Sequence, residues 1–257
     1  MTITIPDAHC HLSLLSDPER AVEEAVAAGV SPILAVSMDA DEAEAVLRLR
    51  DRLRPHVLAG AGLHPSRIVE LTPDEQEEHL RRVEQLASEA DFIGEIGLDW
   101  KDAREEPLQA RQREALDRQL AAARTHGRPV NLHTRRADRE LIEIAARFRA
   151  ETGLDALIHW FTHSRKLARV CAEQGLFISA GPSILVSAEQ AEVAAAIEAT
   201  LLLVETDSPV EYGSLGSARP ALAARVCSEL AALRADPALH ERLASNLARW
   251  RGVPRAR

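Results

Sequence analysis

The stretch Phe92-Ile93-Gly94-Glu95-Ile96-Gly97-Leu98-Asp99 is a short run of apolar and small residues with one carboxylate inside it and another at its end. Residues 92–98 show no polar–apolar alternation. A run of this kind fits a strand buried on both faces, as in a parallel sheet. Seven further runs of the same type flank it, at residues 3–9, 32–36, 57–63, 129–133, 156–161, 176–180 and 201–205. Between them lie segments with apolar residues three and four apart, the spacing of amphipathic helices. Asp17-Pro18-Glu19 places an N-cap before a proline at the first helical position, and Thr72-Pro73-Asp74-Glu75 reads as a capping box. Gly29, Gly127 and Gly175 stand where helices should stop before the next strand. Eight strands alternating with helices predict a single-domain TIM (β/α)8 barrel over residues 1–257. The alternative, an open doubly wound sheet, lacks a G-x-G-x-x-G motif after the first strand.

Composition is that of a globular chain: 257 residues, 46% hydrophobic and 28% charged. The net charge of −9 argues against coating nucleic acid by bulk positive charge, though not against local phosphate contacts. No apolar run has the roughly 18 residues of a membrane span, so no membrane association is expected. The start, Met1 to Pro6, has no basic region followed by a long apolar one. Cys10, Cys171 and Cys227 are too few and too scattered for a disulfide framework. A cytoplasmic setting is expected, and no obligate protein partner is inferred.

The ends of the runs carry the informative residues. They include Asp7-Ala8-His9-Cys10-His11, Gly62-Leu63-His64-Pro65, Gly94-Glu95, Asn131-Leu132-His133-Thr134-Arg135, Ile158-His159-Trp160 and Val204-Glu205-Thr206-Asp207. A barrel builds its active site at strand C-termini, and His and carboxylate groups ligate catalytic divalent metals. His9 and His11 are two apart and share a face, while Cys10 between them should point the other way into packing. Glu95 has two oxygens and can bridge two ions, with His133 and His159 on adjacent strands for a second ion and Asp207 closing the ring beside the first strand. Singly, each has an ordinary structural role, such as a carboxylate paired with arginine or a turn cap. Together, His9, His11, Glu95, His133, His159 and Asp207 are six potential ligands on five strand ends, in runs with almost no other ionisable group. His56, His79, His126 and His240 read as surface or helix-end residues.

With these motifs, the chain resembles the TatD family of metal-dependent deoxyribonucleases, within the wider amidohydrolase-like barrels. The likeness runs from Asp7 to about Asn246 and includes Gly62 to Pro65, Ile93 to Asp99, Gln112 through Gln119-Leu120, His133 to Arg135 and Leu203 to Pro209. It implies one ion held by His9, His11, Glu95 and Asp207, and a second held by Glu95, His133 and His159. It further implies two divalent ions, Mg²⁺ or Mn²⁺ in function with Zn²⁺ possible in a crystal, and hydrolysis of DNA phosphodiesters, often from a 3′ end. The chain departs from the family pattern after His159, where it has Trp160-Phe161-Thr162 for Cys-Phe-Ser. Arg136 replaces a frequent aspartate, and residues 211–220 keep only Arg219-Pro220 of a basic stretch.

The expected chemistry is a two-metal phosphodiesterase on single-stranded or frayed DNA, with Asp207 and Glu95 as catalytic carboxylates and Asp207 taking a proton from the attacking water. Arg135 is the leading phosphate clamp, and His64 and Arg136 are further candidate substrate contacts, followed by Arg165 and Lys166. Trp160 is either a stacking surface for a terminal base or a packed rim aromatic. Two alternatives stand beside this. One is a barrel amidohydrolase acting on a small amide, lactone or phosphoester. The other is a non-catalytic binding subunit with an idle metal site.

Overall fold

Each of the eight apolar runs forms a parallel strand, and the strands pair in sequential order: β1 (Ile5–Cys10), β2 (Val30–Ala35), β3 (Val57–Ala61), β4 (Phe92–Asp99), β5 (Val130–Arg135), β6 (Ala156–Ile158), β7 (Phe177–Ala180) and β8 (Leu202–Val204). The computed structural model describes residues 4–162 and 164–252; Ile3, at the predicted start of the first strand, lies outside them. The ring closes between β8 and β1, where Asp207 N–H donates to the His9 carbonyl at 2.9 Å and His11 N–H donates to the Ser208 carbonyl at 2.8 Å. The helices are α1 (Pro18–Ala27), α2 (Ala40–Leu53), α3 (Pro65–Glu70), α4 (Pro73–Leu86), α5 (Glu106–His126), α6 (Asp138–Thr152), α7 (Arg165–Glu173), α8 (Ala188–Ala195), α9 (Leu222–Leu233) and α10 (Leu239–Trp250). None among the described residues is long and apolar enough to cross a membrane.

Alternation along the strands explains how an apolar barrel carries a polar mouth. Leu157, Phe177 and Leu203 pack with Leu34, Leu58 and Phe92 as one buried cluster, which Leu247 and Trp250 of α10 join. Residues two further on share a face with these side chains. They are His159, Ser179 and Glu205, all buried and all polar. The apolar layer therefore supports a polar layer toward the strand C-termini. Gly60 makes room in the lower layer, since a Cβ there would stand 2.3 Å from the Phe92 ring.

Local signals act as read. Asp17 caps α1 and Gly127 ends α5 in the left-handed region at φ +62°. At α4, Thr72 Oγ1 accepts from Glu75 N–H at 3.3 Å, and Glu75 Oε2 accepts from Thr72 N–H at 2.8 Å. Thr72→Ala removes the first of these bonds, so about 1 kcal/mol of stability should be lost. Differential scanning calorimetry should show this as a fall in Tm of about 2–4 °C.

Several boundaries differ from expectation, among them three strand ends next to polar residues. β6 stops at Ile158, so His159 and Trp160 lie past the strand. β3 stops at Ala61, and β8 stops at Val204, so Glu205 follows the strand. His64 is the N-cap of α3, its Nδ1 accepting from Ser66 N–H at 3.0 Å.

Candidate metal centre

The even spacing of polar residues on each strand brings the six predicted ligands to one point at the barrel mouth, and Glu95 is its hub. Glu95 Oε2 lies 3.2 Å from His9 Nε2 and 3.4 Å from His11 Nε2. Asp207 Oδ1 approaches the same two nitrogens, at 3.7 and 3.4 Å. Glu95 Oε1 instead lies 2.9 Å from His133 Nδ1, 2.9 Å from His159 Nε2 and 3.1 Å from His64 Nε2. The two oxygens thus serve two different sets of imidazoles. His64, read from sequence as a substrate contact, stands among the second set.

These donors fit divalent cations. Ligands about 2.1 Å from an ion, at tetrahedral to octahedral angles, stand about 3.0–3.4 Å apart. The sets His9/His11/Glu95 and His64/Glu95/His133 each offer three donor atoms within 4.8 Å of one another. His9 Nε2 and Glu95 Oε2 are buried without a hydrogen-bond partner among the described residues, which is costly unless a cation joins them.

Hydrogen-bond partners fix how His9 and His133 point, and a carboxylate stands near His159. Asn131 Nδ2 donates to the Ala8 carbonyl at 2.9 Å, so its Oδ1 faces His9 Nδ1 at 3.0 Å and accepts that proton. The lone pair of His9 is then left on Nε2, toward Glu95. Asp99 Oδ2 accepts from His133 Nε2–H at 3.1 Å, leaving the Nδ1 lone pair for the centre. Glu205 stands 3.6 Å from His159 Nδ1, and it accepts from Trp160 N–H at 2.7 Å and Ser179 Oγ–H at 2.5 Å. Such outer carboxylates orient ligating imidazoles.

Electrostatics follow the same geometry. Burial pushes the Glu95 carboxyl up, but His64, His159 and His9 outweigh it and hold the group well below the usual carboxylate range. Burial pushes the His159 imidazole down, and Glu95 and Glu205 reverse this, so its pKa is well above the ordinary value. For His64 burial wins over Glu95, and the pKa falls to about 4. Burial likewise raises the Asp207 carboxyl, but His11, His9 and His159 hold it below the usual value.

Several expectations need correcting. The runs contain more ionisable groups than expected, since Asp7, Asp99 and Glu205 are also fully buried. Asp7 ties β1 to the end of β8, accepting from Thr206 N–H at 2.9 Å and Thr206 Oγ1–H at 2.6 Å. Arg135 is not a free guanidinium: it donates to Asp99 Oδ2 and Asp102 Oδ2, both at 2.8 Å. Arg136 is exposed and forms no ion pair among the described residues. Arg165 and Lys166 are exposed at the start of α7. Cys10 packs in the core as expected. Asp99, Asn131 and Glu205 were missed as site residues. Their signal is even spacing from a ligand: four after Glu95, two before His133 and two before Asp207.

The model of the family described as TatD related DNase matches residues 6–250. The chain belongs to the TatD family. Human deoxyribonuclease TATDN3 is 30% identical over 220 residues, which cover 80% of this chain and 78% of that protein. The 3′-5′ ssDNA/RNA exonuclease TatD of Pantoea ananatis is 31% identical over 244 residues, 92% of this chain and 86% of that protein. Among solved structures, the TatD homologue YjjV of Escherichia coli K12 superposes with a TM-score of 0.86 at 29% identity, covering 99% of this chain and 100% of that one. As a TatD-type protein, the chain is a metal-dependent hydrolase of ester bonds.

Proposed function

We propose that this hydrolase is a deoxyribonuclease that removes nucleotides from the 3′ end of single-stranded or frayed DNA with two divalent ions. The observation that carries this reading is the division of the Glu95 carboxylate, one oxygen toward His9 and His11 and the other toward His133 and His159. His9, His11, Glu95 and Asp207 would hold one ion, and Glu95, His133 and His159 the other, with His64 beside the second. When bound, the ions supply Lewis acidity and neutralise charge on the attacking and leaving oxygens of a phosphodiester. Asp207 is a buried carboxylate at the mouth, held by its N–H bond to the His9 carbonyl, and Oδ of this group takes the proton of the attacking water. Asn131 and Asp99 turn the unprotonated nitrogens of His9 and His133 inward. The relatives named as a deoxyribonuclease and as a 3′-5′ exonuclease support the substrate and the polarity.

The small-amide reading has less support. The bridging position of β4 is Glu95, and Lys101 is exposed beyond the end of that strand. Incubation of labelled single-stranded DNA with Mg²⁺ or Mn²⁺ tests the proposal. Mononucleotide release from the 3′ end is expected, absent in EDTA and in His133→Ala and Asp207→Ala. Turnover of small amides or esters without release from DNA would overturn it.

A further inference from the structure

Beside the second set of imidazoles, a cleft of about 380 Å³ opens at the ends of β5 and β6, lined by His133, Arg136, His159, Trp160 and Thr162 among others. Its size is that of a small-molecule pocket. Two of its residues, Arg136 and Trp160, have left-handed backbones at φ +65° and +42° without being glycine. A bulky residue in that region is strained, and such strain persists where surrounding structure enforces it, often at ligand sites. For Trp160 the enforcing bond is N–H to Glu205 Oε1 at 2.7 Å. The indole is half-buried, backed by Tyr212 with ring centroids 5.6 Å apart and planes at 55°. Arg136, unlike Arg135, has its guanidinium uncommitted among the described residues.

We infer that this cleft is a nucleotide subsite, in which Trp160 stacks on the base next to the scissile phosphodiester and Arg136 holds a neighbouring phosphate. The inference rests on the nuclease reading above and adds to it the residues that receive a base and a neighbouring phosphate. An indole needs an open base face, which a single strand or a frayed end offers and a base stacked inside a duplex does not. Every base has such a face, so the subsite tolerates all four. A guanidinium beside it matches phosphate in charge and geometry. Asp138, also on the cleft, is tethered by Thr134 Oγ1–H at 3.1 Å.

The test is a cycle that removes the indole and the base in turn. Trp160→Ala should raise KM for (dT)8 about tenfold with kcat little changed, and Trp160→Phe should restore most of the loss. An oligonucleotide whose 3′-terminal unit is abasic should lose a similar factor with the wild-type protein and nothing more with Trp160→Ala. Arg136→Ala should weaken the salt dependence of KM. Binding is read without turnover by titrating the Mg²⁺-loaded protein with phosphorothioate (dT)8, which should quench an indole signal that Trp160→Phe lacks. Equal losses on normal and abasic ends would make Trp160 merely structural and overturn the subsite. Hydrolysis of DNA with no quenching and an unchanged KM in Trp160→Ala would also overturn it, leaving the nuclease reading intact. Quenching with no hydrolysis under any metal would keep the subsite and overturn the nuclease reading.

Discussion

Glu95→Gln should lower kcat/KM for single-stranded DNA by at least about 10³-fold, close to 4 kcal/mol of transition-state stabilisation. The substitution preserves volume, and Glu95 sits 1% exposed among five imidazoles, so the fold has no cavity to collapse into. What changes is lone pairs. The carboxylate presents an acceptor oxygen to His9 and His11 and another to His64, His133 and His159. A glutamine amide has one acceptor and one donor end. Whichever way it turns, an N–H₂ group faces one set of imidazoles where a cation would need an oxygen. One ion site should be lost and the other kept, so bound Mn²⁺ measured by calorimetry should fall from two to one per chain. An unchanged circular dichroism spectrum would show that the fold persists. Full metal stoichiometry with activity within tenfold of wild type would mean that Glu95 bridges nothing.

Residues that act by their own position on a strand were legible in the sequence, and residues that act through a neighbour on another strand were not. The barrel could be read because a parallel sheet covered on both faces writes itself as unbroken apolar runs. The six candidate ligands could be read because they fall within those runs or just after them. The even spacing of Asp99 from Glu95 puts it on the ligand face, but its role could not be read, because that comes from register: Gly97 stands beside His133 and Asp99 beside Arg135. No single run encodes that pairing. The same register separates the two arginines. Both line the cleft, but Arg135 ends β5 still in the sheet and meets Asp99, whereas Arg136 turns into the left-handed region and forms no ion pair among the described residues. The apolar pattern carries the sixth run to residue 161, but Glu205 accepts the N–H of Trp160 and β6 ends at Ile158. That capture is a contact between residues 45 apart, invisible to local pattern.

The second large effect tests this register-dependent layer. Asp99→Asn should weaken Mn²⁺ binding, and activity at limiting metal, by about 10–100-fold. Asp99 Oδ1 accepts from Lys101 N–H at 3.0 Å and Asp102 N–H at 3.1 Å, while Oδ2 accepts from His133 Nε2–H at 3.1 Å and Arg135 Nε–H at 2.8 Å. Burial pushes this carboxyl up, but His133 and Arg135 hold it well below its ordinary range, so it is the ionised form that all four donors address. An asparagine can satisfy only one pair. If its oxygen stays with the two backbone amides, its N–H₂ group confronts His133, which must move its proton to Nδ1 to accept. The Nδ1 lone pair, now 2.9 Å from Glu95 Oε1, is then gone from the centre. Saturating Mn²⁺ should restore much of the rate, because the ligand is mis-set rather than removed. Arg135→Ala separates this account from a phosphate clamp: here it should alter metal affinity and leave KM for DNA nearly unchanged, since the guanidinium is spent on Asp99 and Asp102. A rise in KM with unaltered metal binding would return Arg135 to the substrate, and unchanged metal affinity in Asp99→Asn would remove Asp99 from the support of His133.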